Sequence, residues 1–275
     1  MTSLASRIGR LAPDVSPVRD DRRRLCLGAA ALVGLAGCGT VREHPQATRG
    51  TGLTPFSDAR HLGGWPDCWR EQVMRRDLAS TRYRLVERDN RRVLHAVANR
   101  ATSGLRCDVD IDPIATPWFS WGWRVDSLET NATVAADELD DCAVRVVLAF
   151  EGDNALLTPR ERLFQELVGT LTGYPLPFAT LMYVWDGKAS VESVFDYPRS
   201  ARVRYLVVES GPARTGHWLD YRRNVVDDYR RLFGAEPGHL CSIGVLTDSD
   251  DLQTNTEAWY TDMAFDGEAA ALNPT

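Results

Sequence analysis

The sequence predicts a mainly β protein, a single jelly-roll-like β-sandwich with one or two short helices in the loops that cross between strands. Three observations favour this fold class. Polar and apolar residues alternate along several short segments, as in strands with one buried face. Only two segments show apolar residues at helical spacing. No internal repeat or second domain boundary interrupts the pattern, and 44% hydrophobic residues are enough for a full core.

The strands follow from the alternation, taken in chain order. Segments 82–88 and 92–98 each alternate polar and apolar residues. Segment 118–126 continues the alternation with tryptophans, and 143–150 is largely apolar on both faces, which indicates a central strand. The remaining strands are predicted at 105–111, 180–185, 203–209, 240–247 and 258–265.

Two helices and one tight turn complete the predicted elements. Asp89 and Asn90 favour a turn between the first two strands. Segment 159–172 begins with a proline and then carries leucines four residues apart, which predicts a helix; they are Leu163, Leu167 and Leu171. A second short helix is predicted over 224–233, ended by Gly234.

The N-terminal segment indicates export. Three arginines precede twelve apolar residues at 25–36, which are too few to cross about 30 Å of hydrocarbon as a helix. They are typical of an export signal, although an alanine- and glycine-rich core helix is the alternative.

The ending Leu-Ala-Gly-Cys resembles the lipobox of bacterial lipoproteins, which implies cleavage before Cys38 and diacylation of that cysteine. Such a protein is anchored by lipid on the periplasmic side of a membrane, and Gly39 favours the outer membrane by resemblance to lipoprotein sorting. Export through the Sec or the twin-arginine route stays open.

Four segments are therefore predicted along the chain. An N-terminal extension and signal peptide occupy 1–37, and the lipidated cysteine with a flexible tether occupies 38–62. The sandwich domain is expected at 63–268 and a C-terminal tail at 269–275.

Charge argues against nucleic acid as a partner. The net charge is −6, and removal of 1–37 leaves 26 basic against 35 acidic residues, or −9. A nucleic-acid-binding domain is expected to be basic. Lys188 is the only lysine, and the arginine excess is typical of a GC-rich genome rather than of a particular ligand.

Four cysteines remain once the signal and the anchor are set aside, and they permit three pairings in an oxidising compartment. None has the Cys-x-x-Cys spacing of a zinc or redox site. At least one disulfide is expected, and buried thiols are the alternative. The four are Cys68, Cys107, Cys142 and Cys241.

Several segments together resemble a bacterial family known as domain of unknown function number 3047. The resemblance spans about residues 64–268 and implies a fold but no catalytic map. A strand followed by Thr-Asp-Ser-Asp and an aromatic strand also resembles galactose-binding-like carbohydrate modules, more weakly. The segments that carry the family resemblance are 101–105, 121–126, 140–141, 145–150, 182–185, 216–218, 223–234, 244–250 and 259–262.

Tryptophans on or beside predicted strands are candidates for stacking against sugar rings, although each alternatively fills the core. In a strand, Trp121 and Trp123 share one face. Arg145 alternates among apolar residues, so it either contacts a ligand or forms an internal ion pair with Asp141 or Asp126. The candidate ligand-binding residues are Trp121, Trp123, Trp185 and Trp218 for stacking, with Arg124, Asp141 and Arg145 as polar contacts.

Catalytic and metal candidates are weaker. The sequence has no Gly-x-Ser-x-Gly elbow, no His-Glu-x-x-His pair and no phosphate-binding glycine loop. Two carboxylates can hydrolyse a glycosidic bond, so Asp141 or Asp248 with His217 are candidate catalytic residues. No cofactor is expected, with calcium left open: Asp248, Asp250 and Asp251 resemble the start of a calcium loop, but Leu252 and Gln253 exclude an EF-hand.

The function that these observations favour is non-catalytic binding of a cell-envelope or extracellular glycan by an exported lipoprotein. A polysaccharide hydrolase or lyase on the same scaffold is the second hypothesis. A structural subunit of an envelope assembly, with no small ligand, is the third.

Overall fold

The structure, a computed structural model, describes residues 52–58, 64–172 and 176–267. The predicted signal peptide, the predicted lipidation site Cys38, most of the predicted tether and the C-terminal tail lie outside these residues. None of the helices in the described part of the chain has the length and apolarity needed to cross a membrane.

Two β-sheets pack face to face and confirm the predicted fold class. A seven-stranded sheet has the order β1-β4-β11-β6-β7-β9-β8, and a six-stranded sheet has β10-β5-β12-β3-β2 with β13 paired to β5. All neighbours are antiparallel except β7 and β9, which are parallel. The strands are β1 Trp69–Gln72, β2 Arg82–Arg88, β3 Arg91–Asn99, β4 Thr102–Ile111, β5 Trp118–Val125, β6 Arg145–Phe150, β7 Ala179–Asp186, β8 Val194–Tyr197, β9 Ser200–Ser210, β10 Leu219–Asn224, β11 Leu240–Asp248, β12 Asn255–Tyr260 and β13 Ala264–Asp266.

The alternating segments all form strands, with one division that the sequence did not indicate. The predicted strand 258–265 is two strands, because β12 ends at Tyr260 and β13 begins at Ala264. Three further strands, β1, β8 and β10, were not predicted, and all three lie at sheet edges. Edge strands are often short or charged in proteins, and these three have too short an apolar alternation to be recognised from the sequence.

The hairpin between β2 and β3 has the predicted turn. Asp89 and Asn90 both adopt positive φ, 50° and 60°. This is the backbone of a type I′ turn, which Asp and Asn tolerate better than most residues. The turn places the Asp89 side chain at the end of the six-stranded sheet.

The two predicted helices form where expected. Helix α1 spans Pro159–Thr172, and at its start the Thr158 hydroxyl accepts from the Glu161 amide while the Glu161 carboxylate accepts from the Thr158 amide. Helix α2 spans Val225–Phe233; the Asn224 side chain caps its start, and Gly234 ends it at φ 66°. Two of the leucines that predict α1 face outward, because Leu163 and Leu167 are 66% and 54% exposed.

The segment 52–58 packs on the sandwich, although it was expected in the tether. Phe56 is buried, and its ring centroid lies 4.8 Å from that of Trp69. The Trp69 indole N–H donates to the Thr54 carbonyl at 3.0 Å. The Ser57 amide donates to Asp262 at 2.9 Å, so the chain is bound to the domain before residue 63.

One disulfide links the residue before β1 to the neighbouring strand β4 of the seven-stranded sheet. It joins Cys68 to Cys107, which is possible because Trp69 lies opposite Cys107 in the β1–β4 pair. Cys142 and Cys241 are free thiols, and burial raises the pKa of both.

Candidate functional site

Three of the four tryptophans predicted to stack on a ligand are buried in the core, so that prediction is wrong for them. Trp121, Trp123 and Trp185 are 2%, 0% and 0% exposed. They lie on the inward faces of β5 and β7, between the two sheets. The Trp121 ring stacks on Tyr183 of the opposite sheet, with centroids 4.7 Å apart. Their large apolar area is therefore used for packing rather than for ligand contact.

The predicted polar contacts Arg145 and Asp141 are also enclosed. Arg145 is 2% exposed, and its guanidinium pairs with Asp140 at 2.8 Å and with Asp248. The internal ion pair is thus the correct alternative, with partners other than Asp141 or Asp126. Asp141 instead accepts from the backbone amides of Asp251 and Leu252 at 3.1 and 2.6 Å.

The other two candidates, Arg124 and Trp218, lie together on the outer face of the six-stranded sheet. In β5, Phe119, Trp121, Trp123 and Val125 point into the core, so the residues between them face outward. Trp218 precedes the adjacent strand β10, and Arg124 lies 6.0 Å from its ring centroid. Both contact the hairpin residue Asp89: Arg124 at 2.9 Å and the Trp218 indole N–H at 2.9 Å.

Strand register aligns a transverse row of side chains across this outer face. Arg84 of β2 lies opposite His95 of β3, and His95 lies opposite Trp259 of β12. Trp259 in turn lies opposite Arg124 of β5. Four neighbouring strands thus each contribute one polar or aromatic residue at the same level of the sheet.

A continuous network of contacts extends along this row. The His95 and Trp259 rings stack with centroids 4.9 Å apart, and the Arg88 guanidinium lies 3.8 Å from the Trp259 ring. Arg88 and Arg124 both bind Asp126, at 2.6 and 2.7 Å. We call this surface the aromatic-charged face; its members are Arg84, Arg88, Asp89, His95, Arg124, Asp126, Trp218, Glu257 and Trp259.

The positive and negative charges of the aromatic-charged face nearly balance. Burial opposes ionisation of Asp126, yet the hydrogen bonds from Arg124 and Arg88 outweigh it and lower the pKa of this carboxyl. Burial also lowers the pKa of His95, and the hydrogen bond to Glu257 at 2.6 Å opposes that decrease. The side chains of Asp89 and Glu257 are 53% and 52% exposed, so part of each carboxylate is accessible to a ligand beside its contacts within the face.

Sequence reasoning missed several members of this face. The sequence pattern identifies Asp89 only as a turn residue and does not single out Arg88 or Glu257. His95 is 5% exposed, and its ring is also part of the network. The alternation in β3 and β12 holds the missing signal, because Leu94 and Ala258 point inward and their neighbours must face outward.

The catalytic candidates do not converge. His217 is exposed, and its ring hydrogen-bonds the Thr215 carbonyl at 3.0 Å. Within the described residues, no hydrogen bond or ion pair connects His217 to Asp141 or Asp248. A general base and its partner acid are expected within hydrogen-bond reach of one reacting group, and this trio is not assembled that way.

The metal candidates converge in part. Asp141, Asp248 and Asp250 each place one oxygen within 4.8 Å of the others. Asp251, predicted as a member, lies outside this group, and Asp141, predicted as a ligand contact, takes its place. The three acids surround the turn between β11 and β12.

The architecture defines a two-sheet β-sandwich protein with an aromatic and charged outer face. The chain belongs to the family described as protein of unknown function (DUF3047), whose model matches residues 67–264, and this confirms the family resemblance. No curated protein matches the sequence.

Two solved structures of a carbohydrate-binding module show a distant likeness. The family 11 carbohydrate-binding module of the cellulosomal cellulase Lic26A-Cel5E of Clostridium thermocellum is 9% identical over 79% of this chain and 96% of that chain, with a TM-score of 0.39. The family 11 module from Clostridium thermocellum in complex with a beta-1,3-1,4-mixed-linked tetrasaccharide is 8% identical over 74% and 91%, with a TM-score of 0.36. At these values nothing about binding follows for this chain.

Proposed function

We propose that this chain is an exported lipoprotein that binds a cell-envelope or extracellular glycan at the aromatic-charged face, without catalysing a reaction. The observation that carries the proposal is the arrangement around Trp218. The partly exposed Trp218 indole is fixed by its hydrogen bond to Asp89. The guanidiniums of Arg124 and Arg91 lie 6.0 and 5.4 Å from the centroid of the Trp218 ring.

This arrangement suits a pyranose ring. A sugar presents a flat patch of C–H groups, which packs on an aromatic face, and hydroxyls around its rim, which bind carboxylates and guanidiniums. At this site Trp218 offers the aromatic surface, while Asp89 and Arg124 offer acceptor and donor atoms at its edge. Because these side chains already hold one another in place, little conformational entropy is lost when a ligand binds.

The charge of the face favours a neutral, hydroxyl-rich ligand over a highly charged one. Its guanidiniums are paired with carboxylates, as in the contacts of Arg88 and Arg124 with Asp126. Neither sign dominates, so a polyanion would meet repulsion from Asp89 and Glu257. A glycan that offers hydroxyls can donate to these carboxylates and accept from the arginines.

The effect of Trp218 on glycan affinity tests the proposal. In a glycan array followed by titration calorimetry on the best ligand, Trp218→Ala is expected to bind about tenfold more weakly than wild type, since truncation of a central tryptophan removes most of its contact energy. Trp118→Ala is the matched control, because Trp118 lies on the same sheet under Arg222 at 4.7 Å but outside the network. The control is expected to bind as wild type does.

Two results would contradict glycan binding at this face. Equal affinities for wild type and Trp218→Ala would place any bound glycan elsewhere. A protein that binds nothing on the array would favour the role of an envelope-assembly subunit instead. The exposed leucines of α1, Leu163 and Leu167, would then be the first surface to test.

The lipid anchor and the periplasmic location at the outer membrane belong to the same proposal. Their support is the apolar segment 25–36 that precedes Cys38, together with the Cys68–Cys107 disulfide, since disulfides persist in oxidising compartments. Metabolic labelling with a radioactive fatty acid is expected to mark wild type and not Cys38→Ser, and the variant should leave the membrane fraction. Equal labelling, or wild-type protein found in the cytosol, would refute the anchor.

A further inference from the structure

Three carboxylates are enclosed together at the turn that joins β11 to β12. Asp141 is 1% exposed, and the side chains of Asp248 and Asp250 are each 9% exposed. Their oxygens lie within 4.8 Å of one another. Acidic side chains are rarely buried in such a group without a positive charge between them.

Asp248 provides an independent sign that this group binds a ligand. One of its oxygens, Oδ2, accepts from Arg145, but Oδ1 is buried and has no hydrogen-bond partner among the described residues. A buried carboxylate oxygen normally has at least one partner. This carboxylate belongs to the three-acid group, so its unpaired atom is available to whatever the group binds.

The protein's own cations do not balance the acids. Arg145 is shared between Asp248 and Asp140, and Arg75 approaches Asp250 only to 3.6 Å from a half-exposed position. Carboxylates therefore outnumber cations in this poorly solvated place.

We propose that Asp141, Asp248 and Asp250 bind one calcium ion, which joins the β11–β12 turn to the loop that enters β6. The donor set contains carboxylate oxygens and no histidine or cysteine, which suits a hard cation rather than zinc or copper. Calcium ligands lie about 2.4 Å from the ion, so two oxygens on opposite sides are about 4.8 Å apart, as the group allows.

Calcium fits the site better than magnesium does. Magnesium retains most of its water and needs a near-regular octahedron, whereas calcium accepts irregular cages of protein oxygens. Asp141 already accepts two backbone amides of the turn, from Asp251 and Leu252, and each carboxylate oxygen has a further lone pair. The ion would therefore add a second link between Asp141 and the β11–β12 turn, beside the hydrogen bonds that Asp141 already accepts. This calcium site does not depend on the proposed glycan site.

Calorimetric titration of the chelator-treated full chain tests the proposal. Calcium chloride is expected to bind with one ion per chain and a dissociation constant of about 10⁻⁴ to 10⁻³ M, and at saturation to raise Tm by about 5 °C. Magnesium chloride at the same concentration should produce a smaller shift. Because wild type is measured directly, the test does not depend on the folding of any variant.

Two aspartates of the same turn provide the matched variants. Asp250→Asn is expected to weaken calcium binding about tenfold, since one charged ligand is lost. Asp251→Asn changes the same charge at the next residue, outside the three-acid group, and should retain the calcium-dependent rise in Tm. The proposal is overturned if wild type binds no calcium up to about 10 mM, beyond the weakest range of such sites. It is also overturned if both variants lose binding equally.

Discussion

Arg145→Ala is expected to lower the free energy of unfolding by about 3–5 kcal/mol, the cost of breaking a buried ion pair from one side. Arg145 is 2% exposed and donates both to Asp248 and to the side chain and carbonyl of Asp140. Its removal leaves two carboxylates without their cation, in an environment that already raises the pKa of both. Urea denaturation followed by circular dichroism, in the presence of chelator, measures the change.

Arg199→Ala is the control for this loss. Arg199 pairs with Asp137 at 3.0 Å, but the two side chains are 61% and 41% exposed, so the change should be within about 1 kcal/mol. The double variant Arg145→Met with Asp248→Leu removes both charges, and we expect it to recover part of the stability. If Arg145→Ala were as stable as Arg199→Ala, Asp140 and Asp248 would not need their cation, and the ion-pair interpretation would be wrong.

The sequence predicted the central strands well because their chemistry is local. Alternation over 92–98 and 118–126 reports directly which residues are half-buried, and the central strands β3 and β5 form there. The edge strand β10 was missed because its alternation is short: Leu219 and Tyr221 alternate with Asp220 and Arg222, and Arg223 then ends the pattern. Such a strand is identified by its partner β5, which the local sequence does not contain.

The main error at the candidate site concerns which face of β5 is buried. Trp121 and Trp123 share one face of β5, as predicted, but that face packs in the core and is not open to a ligand. The opposite face carries Ser120, Gly122 and Arg124, so the tryptophans belong to the apolar, buried side. The alternation therefore contained the answer.

Long-range partners were beyond the reach of sequence patterns. Arg145 pairs with Asp248, which lies 103 residues away, and Trp218 binds Asp89 across 129 residues. These contacts depend on strand order in the sheets, and the order combines strands distant in sequence, such as β4 with β11. The residue types at a site were predictable, whereas their combination into two separate clusters was not.

The expected effect of Trp121→Ala follows from its place between the sheets. Trp121 contacts Phe119, Trp123 and Tyr221 within its own sheet and Tyr183 in the other. Truncation of a buried tryptophan leaves a cavity and should reduce the free energy of unfolding by about 3–5 kcal/mol. Its indole nitrogen has no hydrogen-bond partner among the described residues, so the loss is one of packing alone.

Trp118→Ala serves again as the control, because Trp118 is on the outer face of the same strand and should lose only about 1 kcal/mol. Urea unfolding measures both variants, and glycan titration below the unfolding transition separates stability from binding. We expect Trp121→Ala to bind glycan as wild type does while it remains folded. Suppose instead that Trp121→Ala unfolds at the same urea concentration as wild type but no longer binds glycan. Trp121 would then contact the ligand, and its assignment to the core would be wrong.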